Sequence, residues 1–292
     1  MASLESKIML FIMHRMNMKR SIDRYLRSGI APPPAKPSKK IQSLIHVEQS
    51  TVMGQAVYTM YPKAGKSKVH VLYLHGGAYV FGIQSYHFNL VTRLILATGC
   101  TVTVPDYPLA PKHSYKDAYD MVTPIAEDIV KQAGSDSFVL MGDSSGGGLA
   151  LGLAQHLRDL TIPQPKDIIL LSPWLDVTME NPEILAIDKF DPILGINGLI
   201  LAGKAYAGDQ DTKHPLVSPI YGNLDNLAKI TLFISTNDLL YADAKKFKSI
   251  MDEKELPLRF EVFEGLFHDW MLFDIRESRK VMDTIKSILL YV

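Results

Sequence analysis

Apolar and polar positions along this chain form short apolar runs separated by longer stretches of helical period, and that alternation predicts an order of elements. The runs at 68–74, 100–104, 138–141, 168–171, 230–234 and 259–263 each suit one buried strand. Helical stretches at 86–98, 115–133, 146–159, 241–254 and 276–290 lie among them. Ahead of the runs, 43–48 and 56–61 alternate apolar with polar around Gly54 and read as an antiparallel pair at a sheet edge. The whole series predicts an α/β fold: a mostly parallel eight-stranded sheet with helices on both faces.

Two stretches stand outside that rhythm. Residues 3–28 read as helix, with Leu4, Ile8, Phe11, Ile12, Ile22 and Tyr25 giving an intermittent apolar face. Ala31-Pro32-Pro33-Pro34 and Pro37 then make a stiff extended link. A helix so placed either folds back over an active site or covers the sheet. The second stretch, 173–229, is too long for an ordinary connection and reads as a lid or cap with a helical segment around 198–206. No internal repeat or second domain-sized core is visible. The expected organisation is a single domain, 1–292, with cap elements from about 1–40 and 176–220.

Composition narrows the partners. Lys plus Arg and Asp plus Glu both total 31, so no net charge draws the chain to nucleic acid or an anionic surface. The apolar run 8–13 lies between Glu5 and a basic cluster, too short for a signal peptide, and no run reaches membrane-spanning length. No integral membrane association is expected. Cys100, the single cysteine, forbids an intrachain disulfide; it reads as a small core residue and suits a cytoplasmic location. No histidine pair has metal-ligand spacing, so no metal is expected.

The candidate chemistry centres on Gly142-Asp143-Ser144-Ser145-Gly146, between the run at 138–141 and the Ala/Leu/Gly-rich helix that follows. A serine at a strand-to-helix junction with glycine two places either side is the nucleophile-elbow pattern. Side chains at 142 or 146 would collide with neighbouring backbone in so sharp a turn. A Gly/Ser loop could show the same letters, so the partners must decide. Serine needs a base, a group to orient that base, and donors for the oxyanion. His75-Gly76-Gly77 directly follows the central run 68–74, and the amides of Gly76, Gly77 and Ser145 suit the oxyanion. His268 follows the last strand and precedes the last helix, the place for the base. His14, His46, His87, His156 and His214 fall in helices, strands or the insertion, and His113 after a Pro-rich turn. Asp238 follows the strand at 230–234 and fits the chain order Ser, acid, His. Asp243 competes but belongs to the next helix, as a cap or an exposed residue. Asp269 would have to fold back on its own neighbour.

These motifs resemble the hormone-sensitive-lipase-type esterases, a branch of the α/β-hydrolases. The resemblance runs from about residue 40 to the C-terminus. It rests on His75-Gly76-Gly77, Asp106-Tyr107-Pro108-Leu109-Ala110-Pro111, Gly142 to Gly147, Ser172-Pro173-Trp174, Asp238 and His268, in that order. It implies an α/β-hydrolase fold with a helical cap, Ser144 as nucleophile, His268 and Asp238 as its partners, and Gly76, Gly77 and Ser145 as oxyanion donors. Ala78 stands where many members have a third glycine, Ser145 where alanine is usual, and Lys112 where an acidic residue is common. The implied activity is hydrolysis of short- to medium-chain carboxylic esters through an acyl-enzyme, on a small-molecule substrate and without a cofactor. Dimers among similar proteins leave a homodimer open. Tyr79, Trp174, Phe190 and Trp270 are candidates for pocket walls or for core packing. An amidase or peptidase on the same scaffold, or a binding protein of this fold without turnover, are the alternatives.

Overall fold

The eight strands are β1 (Ile45–Val52), β2 (Gln55–Pro62), β3 (His70–Leu74), β4 (Thr101–Pro105), β5 (Phe138–Asp143), β6 (Asp167–Leu171), β7 (Lys229–Ser235) and β8 (Leu258–Phe263). They form one sheet in the order β1-β2-β4-β3-β5-β6-β7-β8. β2 runs antiparallel to both its neighbours, and the remaining pairs are parallel. The computed structural model describes residues 2–16, 18–29 and 32–290; Ala31 of the proline link lies outside them.

Ten helices accompany the strands among the described residues: α1 (Leu4–Met16), α2 (Ser21–Ser28), α3 (Lys39–Leu44), α4 (Ser85–Thr98), α5 (Tyr115–Ala133), α6 (Ser144–Asp159), α7 (Ile184–Ile187), α8 (Ile196–Ala207), α9 (Tyr241–Glu253) and α10 (Arg276–Leu290). Successive strand residues point to opposite faces, and both faces are covered. Leu72, Leu140, Ile168 and Leu232 enter one core, Tyr73, Val139, Ile169 and Phe233 the other. That is why β3, β5, β6 and β7 read as unbroken apolar runs rather than alternating ones.

Two sequence expectations change here. The first strand does not begin at Ser43. Ser38 caps a short helix by accepting the Ile41 N–H at 3.3 Å, and α3 carries Ser43. Six residues are too few to show a helical period against the strand that follows. The N-terminal helix is two helices, α1 and α2. α1 is fixed to α10 because Glu277 accepts from the Ser3 N–H at 2.5 Å and from the Ser6 hydroxyl at 2.7 Å.

The 173–229 insertion supplies α7 and α8, and α2 packs against α8. Lys19 also bonds Asp188 Oδ1 at 2.9 Å. N-terminal and inserted segments therefore build one cap over the C-terminal ends of the parallel strands, where ligands meet such sheets. Among the described residues no helix is long and apolar enough to cross a membrane.

Candidate active site

β5 ends at Asp143 and α6 starts at Ser144, whose φ is +50°. A serine pays for left-handed backbone, and only fixed surroundings hold it there. The flanking glycines show the constraint. A Cβ on Gly142 would lie 2.2 Å from the Gly146 carbonyl oxygen, and one on Gly146 would lie 2.0 Å from that of Leu74. Both distances are far inside contact, so glycine is required at each. The Ser144 carbonyl accepts the Trp174 N–H at 2.8 Å, which pins the elbow to the chain after β6.

Three segments converge on the hydroxyl. His268 Nε2 lies 2.9 Å from Ser144 Oγ, and His268 Nδ1 donates to Asp238 Oδ2, also at 2.9 Å. Asp238 is fully buried, and its other oxygen accepts the Leu240 N–H at 3.0 Å. Burial works to lower the His268 imidazole, but the carboxylates of Asp238 and Asp269 outweigh it and hold it well above a free histidine.

The carboxyl of Asp269 does what its position in the sequence seemed to discourage. At φ +56° the chain turns sharply, and Asp269 Oδ2 comes to 3.1 Å from Nε2 of the preceding histidine. Burial raises this carboxyl to about 7. Asp243 is indeed in the helix after β7, but it is buried rather than exposed, with Oδ1 accepting from the Asn181 amide at 2.9 Å.

The loop after β3 forms the opposite wall. Gly76 lies against Asp143 and Ser144, while Gly77 and Ala78 line the cavity beside Ser144. Ser145 is the second residue of α6, in its first turn, and the N-terminal end of that helix is electropositive. Its hydroxyl, to which the sequence assigns no role, accepts the Tyr79 N–H at 3.2 Å and ties this loop to the elbow. The Asp106–Pro111 segment braces the loop from behind. Asp106 Oδ1 accepts the Ile83 N–H at 3.1 Å and sits 3.4 Å from His75 Nε2, and the Tyr107 hydroxyl donates to the His75 carbonyl at 2.6 Å.

The cavity in front of Ser144 holds about 420 Å³. Met13, Met18, Ile22 and Tyr25 line it from the N-terminal helices, with Phe81, Leu194 and Phe273 opposite. The N-terminal segment thus covers the site and not merely the sheet.

The four aromatic candidates lie elsewhere. Tyr79 stacks on Tyr206 at 3.6 Å and on Trp174 at 5.7 Å, beneath the loop rather than facing the cavity. Trp270 is fully buried, 5.2 Å from Phe263. Phe190 is 47 % exposed on the cap, under Lys189. The left-handed backbone at Ala78 and Tyr79 turns the Tyr79 ring into the core, which residue type alone does not reveal.

One functional neighbour has no sequence signal. Asp191, fully buried in the cap, accepts the N–H groups of Ile193 and Leu194 and, through Oδ2, that of Leu239 at 2.8 Å. It fastens the cap to the Asp238 loop, and burial beside Asp238 raises its carboxyl to about 6. Cys100 is buried and its thiol is pushed up to about 11, so it is no nucleophile.

A serine, an imidazole and a buried carboxylate in hydrogen-bond sequence, on this sheet and under this cap, define serine-hydrolase machinery on an α/β-hydrolase scaffold. The arrangement is consistent with carboxylic ester hydrolysis. Comparison with known proteins agrees. The family model described as "alpha/beta hydrolase fold" matches residues 71–272, and the chain belongs to that family of esterases and lipases. An "Esterase" of Acinetobacter venetianus is 30% identical over 206 residues, covering 70% of this chain and 68% of the relative. An "Acetyl-hydrolase" of Streptomyces hygroscopicus is 28% identical over 222 residues, covering 75% and 74%. The crystal structure of EstE5 soaked with p-nitrophenyl butyrate superposes with a TM-score of 0.85 at 24% identity, over 99% of both chains, and so shares the fold.

Proposed function

We propose that this chain is a single-domain esterase of the hormone-sensitive-lipase type, hydrolysing short- to medium-chain esters of small molecules in the cytoplasm. The observation that carries the reading is the unbroken hydrogen-bond line from Asp238 through His268 to Ser144. Ser144 Oγ attacks the ester carbonyl while His268 Nε2 takes its proton. The amides of Gly76, Gly77 and Ser145 receive the oxyanion. The C–O bond to the alcohol breaks as Nε2 returns the proton to the leaving oxygen. Water, activated by the same nitrogen, then attacks the acyl-Ser144 carbonyl and releases the acid. Asp238 keeps the proton on Nδ1 and stabilises the imidazolium without taking that proton itself.

The apolar cavity of about 420 Å³ supports a short or medium acyl chain, as do the names of the esterase and acetyl-hydrolase relatives. The ordered motifs from His75 to His268 support the subfamily, and the single buried cysteine supports a reducing compartment. The test is a series of p-nitrophenyl acetate, butyrate and octanoate beside a p-nitroanilide, with wild type and Ser144→Ala. Wild type should favour acetate or butyrate over octanoate and leave the anilide untouched. Ser144→Ala should lose at least about 10³-fold in kcat while keeping its urea midpoint. Undiminished turnover in that variant would remove Ser144 from the mechanism.

A further inference from the structure

The triad explains two of the three groups around the His268 ring. Nδ1 has Asp238, but Nε2 faces both Ser144 Oγ at 2.9 Å and Asp269 Oδ2 at 3.1 Å. Asp269 lines the same cavity as Ser144 and His268, and its Oδ1 is buried without a hydrogen-bond partner among the described residues. A carboxyl group in that position meets the nitrogen that must be empty to accept the serine proton.

We propose that Asp269 is a second acid on the proton-shuttling nitrogen of His268, and that the two share one proton whose loss sets the lower pH limit of turnover. This rests on His268 being the base. With Nδ1–H held by Asp238, neutral imidazole presents a lone pair at Nε2. An ionised Asp269 would set its own lone pair against it at 3.1 Å. A proton relieves the clash from either side. On Nε2 it occupies the base. On Asp269 Oδ2 it is donated to Nε2 and competes with the Ser144 hydroxyl. Full base function returns when that proton leaves, so the limit belongs to the pair and not to histidine alone.

The surroundings oppose a bare charge on Asp269. Asp143, at the end of β5, has its carboxyl bonded by the Tyr73 hydroxyl and stands 3.4 Å from His87 Nε2. Burial works to raise Asp143, but His87, Tyr73 and His75 hold it below the usual carboxylate range, so it faces Asp269 ionised. Asp238 adds a second negative charge from the loop after β7. Asp191, in the cap, acts on Asp238 and on His268 instead. Tyr86, from the start of α4, borders the cavity, and burial raises its hydroxyl above the ordinary tyrosine range. Among the described residues, Arg24 on α2 is the arginine or lysine that lines the cavity, and its side chain is largely exposed to water. The burial that lifts Asp269 to about 7 is what lets it hold the proton in the range where the enzyme would otherwise begin to work.

The test uses Asp269→Asn, which tolerates the left-handed backbone and removes the charge, and Asp269→Gly, which also removes the amide donor. The acidic limb of kcat/KM against pH should move to lower pH by about one unit in both variants, the usual size for losing a close opposite charge. A purely structural role would lower kcat without moving the limb. The imidazole of His268 should also be titrated by NMR in the Ser144→Ala background, with and without Asp269→Asn. Its midpoint should fall by a similar amount, and this reading survives even if no ester proves to be a substrate. A limb and a midpoint that stay in place, or rise, overturn the proposal.

Discussion

Replacing Asp238 by asparagine tests the geometry most directly, because the consequence follows from two hydrogen bonds. Oδ1 of Asp238 accepts the Leu240 N–H at 3.0 Å and Oδ2 accepts from His268 Nδ1 at 2.9 Å. An asparagine keeps its one carbonyl oxygen on the Leu240 N–H, which has no solvent to turn to. Its NH₂ group then faces Nδ1. The ring must present a lone pair there and carry its proton on Nε2, where Asp269 Oδ2 waits at 3.1 Å to accept it. The base is then blocked at the atom that should receive the Ser144 proton. In a well-studied triad the same exchange costs about 10⁴-fold in kcat, or about 5.5 kcal/mol of barrier. A comparable loss is expected here in kcat on p-nitrophenyl butyrate at pH 8, with the urea midpoint within experimental spread of wild type. A folded Asp238→Asn protein that retains more than about one per cent of activity would refute the tautomer reasoning.

Two further outcomes concern the scaffold. Gly146→Ala brings a Cβ to within 2.0 Å of the Leu74 carbonyl oxygen, so α6 must part from β3; about 3 kcal/mol should be lost in urea unfolding, and activity with it. Asp243→Asn acts through pH. Burial raises the folded carboxyl to about 6, so its favourable contribution is full below the unfolded value and is lost as pH rises through the folded one. Removing the charge should therefore stabilise the protein by about 3 kcal/mol at pH 8 and by almost nothing at pH 3.5, read from urea midpoints at the two values.

The elements were legible where the physics is local. An apolar run buried on both faces, a helix with a period of 3.6 and a pair of glycines at a tight turn leave marks within ten residues. The chain order of Ser144, Asp238 and His268 adds a longer mark, since each follows a strand of the same sheet. Legibility failed at α3, where six residues compete with the adjoining strand, and at the four aromatics. A ring beside a motif looks the same whether it faces a cavity or the core. Tyr79 went to the core because two residues of left-handed backbone turned it there.

By itself the sequence determined the order of the strands along the chain and the elbow at Ser144, and it singled out Asp238 and His268, which the fold brings into hydrogen-bond line with that serine, because those depend on backbone sterics and on proton chemistry that few residue types can supply. Tertiary structure alone decided that α1 and α2 close over the serine, that Asp191 binds the cap to the loop of Asp238, and that Asp269 reaches Nε2. Each of those contacts joins groups through a backbone turn or across segments far apart in the chain. Their consequence is set by burial and by angles of approach, which no spacing of letters encodes.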